Sequence, residues 1–183
     1  MAHVAARAGT VVDPGACRDW HRTMFAPSVP MDYYAGNFRQ LDHRRPCLGV
    51  DVKVGSCYGT PPMFVPQATE MLFRWLGREI VALRALWNGV LGEEQSKRAA
   101  ILLGEFASRF IKIHPFVNGN GRTSRLLLGW GMMYFGFRPP FTVHIRPEGR
   151  SYAWVMQQAM NGNPAPLQLF LLNSIRQRGS GTR

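Results

Sequence analysis

Between Thr123 and Phe135 the chain is apolar nearly all the way round a helical turn: Leu126, Leu127, Leu128, Trp130, Met132, Met133, Tyr134 and Phe135. A helix without a polar face needs other elements on every side, so this stretch predicts a helical bundle with itself in the middle. The flanking periodicity is helical too. Leu72, Trp75, Leu76, Ile80, Leu83 and Leu86 recur at three- and four-residue spacing from Pro66 to Trp87, with Asn88-Gly89 as the stop. From about Glu93 to Ile113, Leu102, Leu103, Phe106, Phe110 and Ile113 share one face, opposite Lys97, Arg98, Glu105, Arg109 and Lys112. Pro139-Pro140 stops the apolar helix, and two further helices are expected over roughly 150–160 and 166–176. A short one is expected over 14–25, ended by Pro27 and Pro30. Only Val50-Asp-Val-Lys-Val54 alternates like a strand; with the breakers Gly55, Gly59 and Pro61-Pro62 it predicts a small β-hairpin over 48–60. The fold class is mainly α.

A chain of 183 residues fits a single domain, here with a core over about 15–176 and frayed ends over the first dozen residues and 176–183. Hydrophobic residues at 46% and charged ones at 18% exclude a disordered or fibrous sequence. Cys17, Cys47 and Cys57 are odd in number and form no C-x-x-C, which argues against a disulfide framework or zinc ribbon and for a reducing, cytoplasmic setting. No run approaches the length of a membrane span, and the N-terminus lacks the apolar core of a signal peptide. The net charge of +11 favours anionic partners, carried by arginine except at Lys53, Lys97 and Lys112. A nucleic-acid partner is compatible with that charge but less favoured than a nucleotide.

The chemistry concentrates in His114-Pro-Phe-Val-Asn-Gly-Asn-Gly-Arg-Thr-Ser-Arg125. Pro115 ends the preceding helix, which leaves His114 at the mouth of a tight loop. Asn118-Gly119-Asn120-Gly121 can take positive φ at consecutive positions and turn backbone N–H groups inward as an anion nest. The loop feeds a helix start, where free N–H groups and the dipole favour phosphate. Arg122 and Arg125 lie three apart on its first turn. An ionisable imidazole, an anion cradle and two guanidinium groups within twelve residues suit a polyphosphate and a base.

The pattern His114-Pro115-Phe116-x-x-Gly119-Asn120-Gly121-Arg122-x-x-Arg125 resembles the signature of Fic (filamentation induced by cAMP) domain proteins, in the AMP-transferring branch. The kinase-like branch has Lys where this chain has Gly121. Trp20-His21-x-x-Met24-Phe25 and Ala35-Gly36-Asn37-Phe38-Arg39 resemble that family's opening helix and turn. The resemblance implies a Fic-type helical bundle with a β-hairpin flap, and transfer of AMP from ATP to a Ser, Thr or Tyr hydroxyl of a target protein. It implies His114 as general base, and Gly119, Asn120 and Gly121 around the α-phosphate. Arg122 and Arg125 would meet the β- and γ-phosphates, and Phe116 would anchor the loop. Val52, Val54, Cys57 and Tyr58 would form the flap that holds the target by strand addition.

One position departs from the pattern. Where the family places Asp or Glu to bind Mg²⁺ (or Mn²⁺), this chain has Asn118, an uncharged and therefore weak metal ligand. A slower AMP transferase, an enzyme for another nucleotide or metal, and a nucleotide-binding pseudoenzyme all follow. The family's inhibitory helix, [Ser/Thr]-x-x-x-Glu-[Gly/Asn], has no counterpart here beyond Glu148-Gly149, with His144 in place of Ser or Thr. In that absence the chain resembles the group restrained in trans by a small antitoxin protein, or one with no such brake; a toxin paired in trans is the leading expectation, in the cytoplasm of its own cell or, as an effector, of another. His21 and His43 read as surface or packing residues, His144 as a loop residue, and Arg39, His43, Arg44 and Arg45 as a solvated basic face.

Overall fold

The computed structural model describes residues 1–54, 56–86, 92–137 and 150–179. The stops at Asn88-Gly89 and Pro139-Pro140, His144, Glu148-Gly149 and the Val54 side chain lie outside what it describes. Seven helices are described: α1 (Ala2–Arg7), α2 (Pro14–Phe25), α3 (Val65–Ala85), α4 (Glu93–Ile113), α5 (Asn120–Tyr134), α6 (Arg150–Met160) and α7 (Ala165–Gly179). The short strands β1 (Lys53–Val54) and β2 (Cys57–Tyr58) pair antiparallel, Lys53 opposite Tyr58 and Val54 opposite Cys57. The expected hairpin over 48–60 is therefore shorter, its strands confined to 53–54 and 57–58, and Leu48 belongs to a 3-10 turn over Pro46–Leu48.

Local chemistry explains several boundaries. Asp13 caps α2 by accepting the Ala16 N–H at 2.7 Å, and Pro14 stands at the first helical position, where its missing N–H costs nothing. Glu93 and Glu94 open α4 and pair one turn on with Lys97 and Arg98. α5 starts at Asn120, three residues before the periodicity suggested, because Gly119 adopts φ +84° and lets the loop turn directly into helix.

α4 packs against α3, α5, α6 and α7, while α1, α2 and α4 cover α5. The centre of the bundle is thus shared between α5 and α4. The apolar stripe of α4 is widened by small buried residues, Ala99, Ala100, Ala107 and Ser108, which let neighbouring helices close in. The chain's beginning is not frayed. Ala2 and Ala6 are buried as an i, i+4 pair in the core cluster, Val12 is buried behind them, and the Trp130 indole donates to the Thr10 carbonyl. At the other end α7 runs to Gly179, past the expected stop at residue 176. No helix among the described residues is long and apolar enough to cross a membrane.

Candidate active site

α4 ends on His114, which takes a left-handed conformation (φ 54°, ψ 61°) that β-carbon sterics disfavour. That turn brings the imidazole to the rim of a pocket of about 560 Å³. Residues 117–121 and Arg122 and Arg125 of α5 line it together with His114. The residues that sequence reasoning assigned to the base and the nucleotide are therefore brought together.

His114 Nδ1 lies 3.2 Å from the Ile111 carbonyl oxygen. A carbonyl only accepts, so Nδ1 carries the hydrogen, and the neutral ring keeps its lone pair on Nε2. Burial lowers the His114 pKa from its ordinary value, the Ile111 carbonyl pulls it up, and the nearby Arg39 charge lowers it again, with the net shift downward. At neutral pH the ring is a neutral base.

The loop is held from beneath. Phe116 is fully buried and its ring stacks on His21, with centroids 3.7 Å apart and planes 12° apart. His21, also buried, donates from Nε2 to the Asn118 carbonyl (3.0 Å) and accepts the Gly36 N–H at Nδ1 (2.9 Å). Both ring nitrogens are used by the neutral form. Burial lowers the His21 pKa to about 4, opposed by the Asn118 carbonyl and reinforced by Arg122. The packing role foreseen for His21 is thus specifically a clamp on the loop, for which no sequence spacing gave a signal.

Asn120 is buried, and its side-chain amide accepts the Phe116 N–H (2.9 Å) and donates to the Phe116 carbonyl (2.8 Å). The group assigned to phosphate is engaged in closing the loop. Asn118 Oδ1 accepts the Gly119 N–H at 2.7 Å. Of residues 118–121 only Gly119 has positive φ, so the expected run of positive-φ residues reduces to a single turn. A β-carbon at Gly119 would come within 2.5 Å of the Phe25 ring, so any larger residue would strain the turn. The first N–H groups of α5 have no acceptor within the helix, and they belong to the pocket wall. Arg122 lies over the Phe25 ring, 4.1 Å from its centroid, which orients its guanidinium at the mouth.

Arg39 overturns an expectation. It does not belong to a solvated basic face: it is 0% exposed and donates to the carbonyls of His114, Val50, Thr60 and Ile113 at 2.7–3.0 Å. Its own N–H donates to the Pro115 carbonyl at 2.7 Å.

The flap residues do not line the pocket. Cys57 Sγ donates to Asn161 Oδ1 (2.9 Å) beyond the end of α6, so that side chain is engaged within the molecule. Tyr58 is 67% exposed, with Lys53 Nζ 5.6 Å from its ring centroid. Val52 is half-buried, and its carbonyl accepts the Gly59 N–H. A β-carbon at Gly59 would lie 2.9 Å from His114 Cβ, so the flap's exit abuts the base.

The Fic/DOC family model matches residues 12–131. A protein adenylyltransferase, fic-1 of Caenorhabditis elegans, is 29% identical over 135 residues, covering 74% of this chain and 22% of that one. The protein adenylyltransferase Fic of Nematostella vectensis is 37% identical over 71 residues, 37% of this chain and 16% of the relative. The chain thus spans about a fifth of the length of these relatives. Among solved structures, a Fic domain containing signaling protein from Bacteroides thetaiotaomicron superposes with TM-score 0.66 at 20% identity, covering 96% of this chain and 65% of that one. The BepC effector protein of Bartonella tribocorum with bound AMPPNP gives 0.60 at 17% identity, covering 88% and 73%.

Proposed function

Because the chain belongs to the Fic/DOC family, we propose that it is a protein adenylyltransferase, moving AMP from ATP to a Ser, Thr or Tyr hydroxyl of a target protein. The observation that carries this reading is the neutral imidazole of His114 on the rim of a pocket that also holds Arg122 and Arg125. The acceptor hydroxyl attacks the α-phosphorus, Nε2 of His114 takes its proton, and the bond to the bridging oxygen breaks to release pyrophosphate. The N–H groups that open α5 and the Gly119 turn stabilise charge on the α-phosphate, and Arg122 and Arg125 receive the β- and γ-phosphates. Asn120 contributes by fixing the loop. Tyr58 and Lys53 present the flap's exposed side to the target, while Cys57 secures the flap to the end of α6.

The residues present do not fit a Mg²⁺ ion held by protein carboxylates, so a metal here would be held mainly by the nucleotide's phosphates, with Asn118 a weak ligand. No group of three or more His, Cys, Asp or Glu capable of holding a metal occurs among the described residues. Asn118 Oδ1, where a carboxylate would stand, is already an acceptor within the loop. The charge that opposes the triphosphate comes from the two arginines, and no step is routed through a metal. That same feature favours a second reading, nucleotide binding without transfer.

A small antitoxin protein acting in trans is the regulator that suits this chain, with its carboxylate directed at Arg125. The setting proposed is the cytoplasm of its own cell, or of a recipient cell after delivery as an effector. Intact-mass measurement after incubation with ATP distinguishes the readings. A gain of about 329 Da on a target protein, lost with His114→Ala, is the expected result. Saturable AMPPNP binding with no mass gain and no pyrophosphate would establish the second reading instead.

A further inference from the structure

A fully buried arginine is expected to sit opposite a carboxylate. Arg39 does not: Asp51 acts on its charge only from beyond ion-pair distance, no other carboxylate among the described residues pairs with it, and its side-chain hydrogen bonds go to main-chain carbonyls. The identity of those carbonyls is informative. Ile113 and His114 are the last residue and the cap of α4, where helix carbonyls lack intrahelical partners. Val50 leads into the flap and Thr60 leads out of it. One rigid fork thus ties the flap's entry and exit to the left-handed turn that aims His114, and the Arg39 main chain adds the bond to Pro115.

We propose that Arg39 is a positioning residue for transfer, locking the acceptor-holding flap and the base into one body. The proposal rests on the adenylyltransferase reading above. Lysine could keep the charge but not the geometry, since a single ammonium cannot span carbonyls spread over three segments. Around His114 the charged groups are Arg39 beneath it, Arg122 and Arg125 across the pocket, and Lys112 on its own helix; His21 stands beyond the Asn118 carbonyl. The Arg39 charge and the tight burial it maintains both hold the imidazole neutral. The proposed nucleotide contacts lie at Gly119 and on α5, to which Arg39 makes none of these bonds.

The test uses the full chain with Arg39→Lys, measuring AMPPNP affinity by calorimetry, transfer kcat, and the titration of His114 by proton NMR. AMPPNP affinity is expected to stay within about threefold while kcat falls by about a hundredfold, the effect of misplacing a catalytic group by about an ångström. The His114 titration is expected to move upward, toward the ordinary imidazole value. Unchanged kcat with an unmoved titration would overturn the proposal. So would equal losses in affinity and kcat, the mark of general loosening. Should Arg39→Lys not fold, Gly59→Ala decides, since its β-carbon would press on the same junction, 2.9 Å from His114 Cβ and 3.1 Å from Arg39 Nη2. Its kcat is expected to drop about tenfold at unchanged AMPPNP affinity, and an unaltered kcat would refute the coupling. If the wild-type chain binds AMPPNP and transfers nothing, the adenylyltransferase reading fails, and the His114 titration in wild type and variant alone decides on Arg39.

Discussion

Two histidines flanking one loop, His114 at the end of α4 and His21 on α2, have opposite uses for the same neutral state. His114 exposes the Nε2 lone pair, and its lowered pKa keeps that lone pair available below the ordinary imidazole value of about 6.5. Transfer should therefore persist as pH falls through 6.5 and decline only at lower pH, as a pH profile of kcat will record. A decline centred at or above 6.5 would contradict this account. His21 uses both nitrogens structurally, and protonation at Nδ1 would cost the bond from Gly36. Its folded pKa of about 4 lies below the unfolded value, so between the two the unfolded chain binds more protons. The stabilisation is complete above about pH 6.5 and is lost as pH falls toward 4, by as much as about 3 kcal/mol. His21→Phe keeps a ring against Phe116 but removes the titration. Its melting temperature should vary less between pH 7 and pH 4.5 than the wild type's, and parallel curves would contradict the clamp. Gly119→Ala combines a left-handed φ with a collision against Phe25, so its chemical denaturation midpoint should fall by an equivalent of more than about 1 kcal/mol.

Among the elements, the flap and α1 make distinct claims. The flap has only one pair of residues per strand, too little to be stable alone. It depends on the Arg39 bonds at its base and on Cys57 against Asn161 at its side. Tyr58→Ala should raise the KM for the protein acceptor severalfold and leave AMPPNP affinity unchanged, because Tyr58 is exposed and outside the pocket. Equal loss of both would contradict that division. α1 is short but packed on α5, so Ala6→Asp buries a charge against the helix that carries the two arginines. A loss of about 3 kcal/mol is expected, read as a lower melting temperature, and an unchanged one would show α1 to be dispensable. Helix bounds were legible near residues 14 and 93 and at Pro115 after the end of α4, and local chemistry explains them: the Asp13 cap and Pro14 open α2, and Glu93-Glu94 open α4. α1 was not, because two alanines one turn apart carry almost no periodic signal. Nor was the start of α5, which depends on the conformation of Gly119 rather than on apolar spacing.

For the whole molecule, the lining of the candidate pocket was legible because it falls within twelve consecutive positions, and proximity in sequence there is proximity in space. The parts that hold that lining in place come from elsewhere. His21 meets Asn118 across 97 residues and Arg39 meets His114 across 75, separations that only the folded bundle closes. Arg39 looked like a solvated cation because its neighbours Arg44 and Arg45 are charged, whereas its acceptors are main-chain carbonyls that carry no sequence identity. The positive charge has a consequence at this scale as well. Of the excess over acidic residues, Arg122 and Arg125 line the site while Glu93, Glu94 and Glu105 are matched by i, i+4 partners on α4. AMP transfer requires attack at the α-phosphorus of ATP with His114 as the base. ATP labelled at the α-phosphorus should leave label bound to protein, ATP labelled at the γ-phosphorus should leave none, and His114→Ala should abolish the α-label. Label retained from the γ-position, or undiminished α-label in His114→Ala, would contradict it.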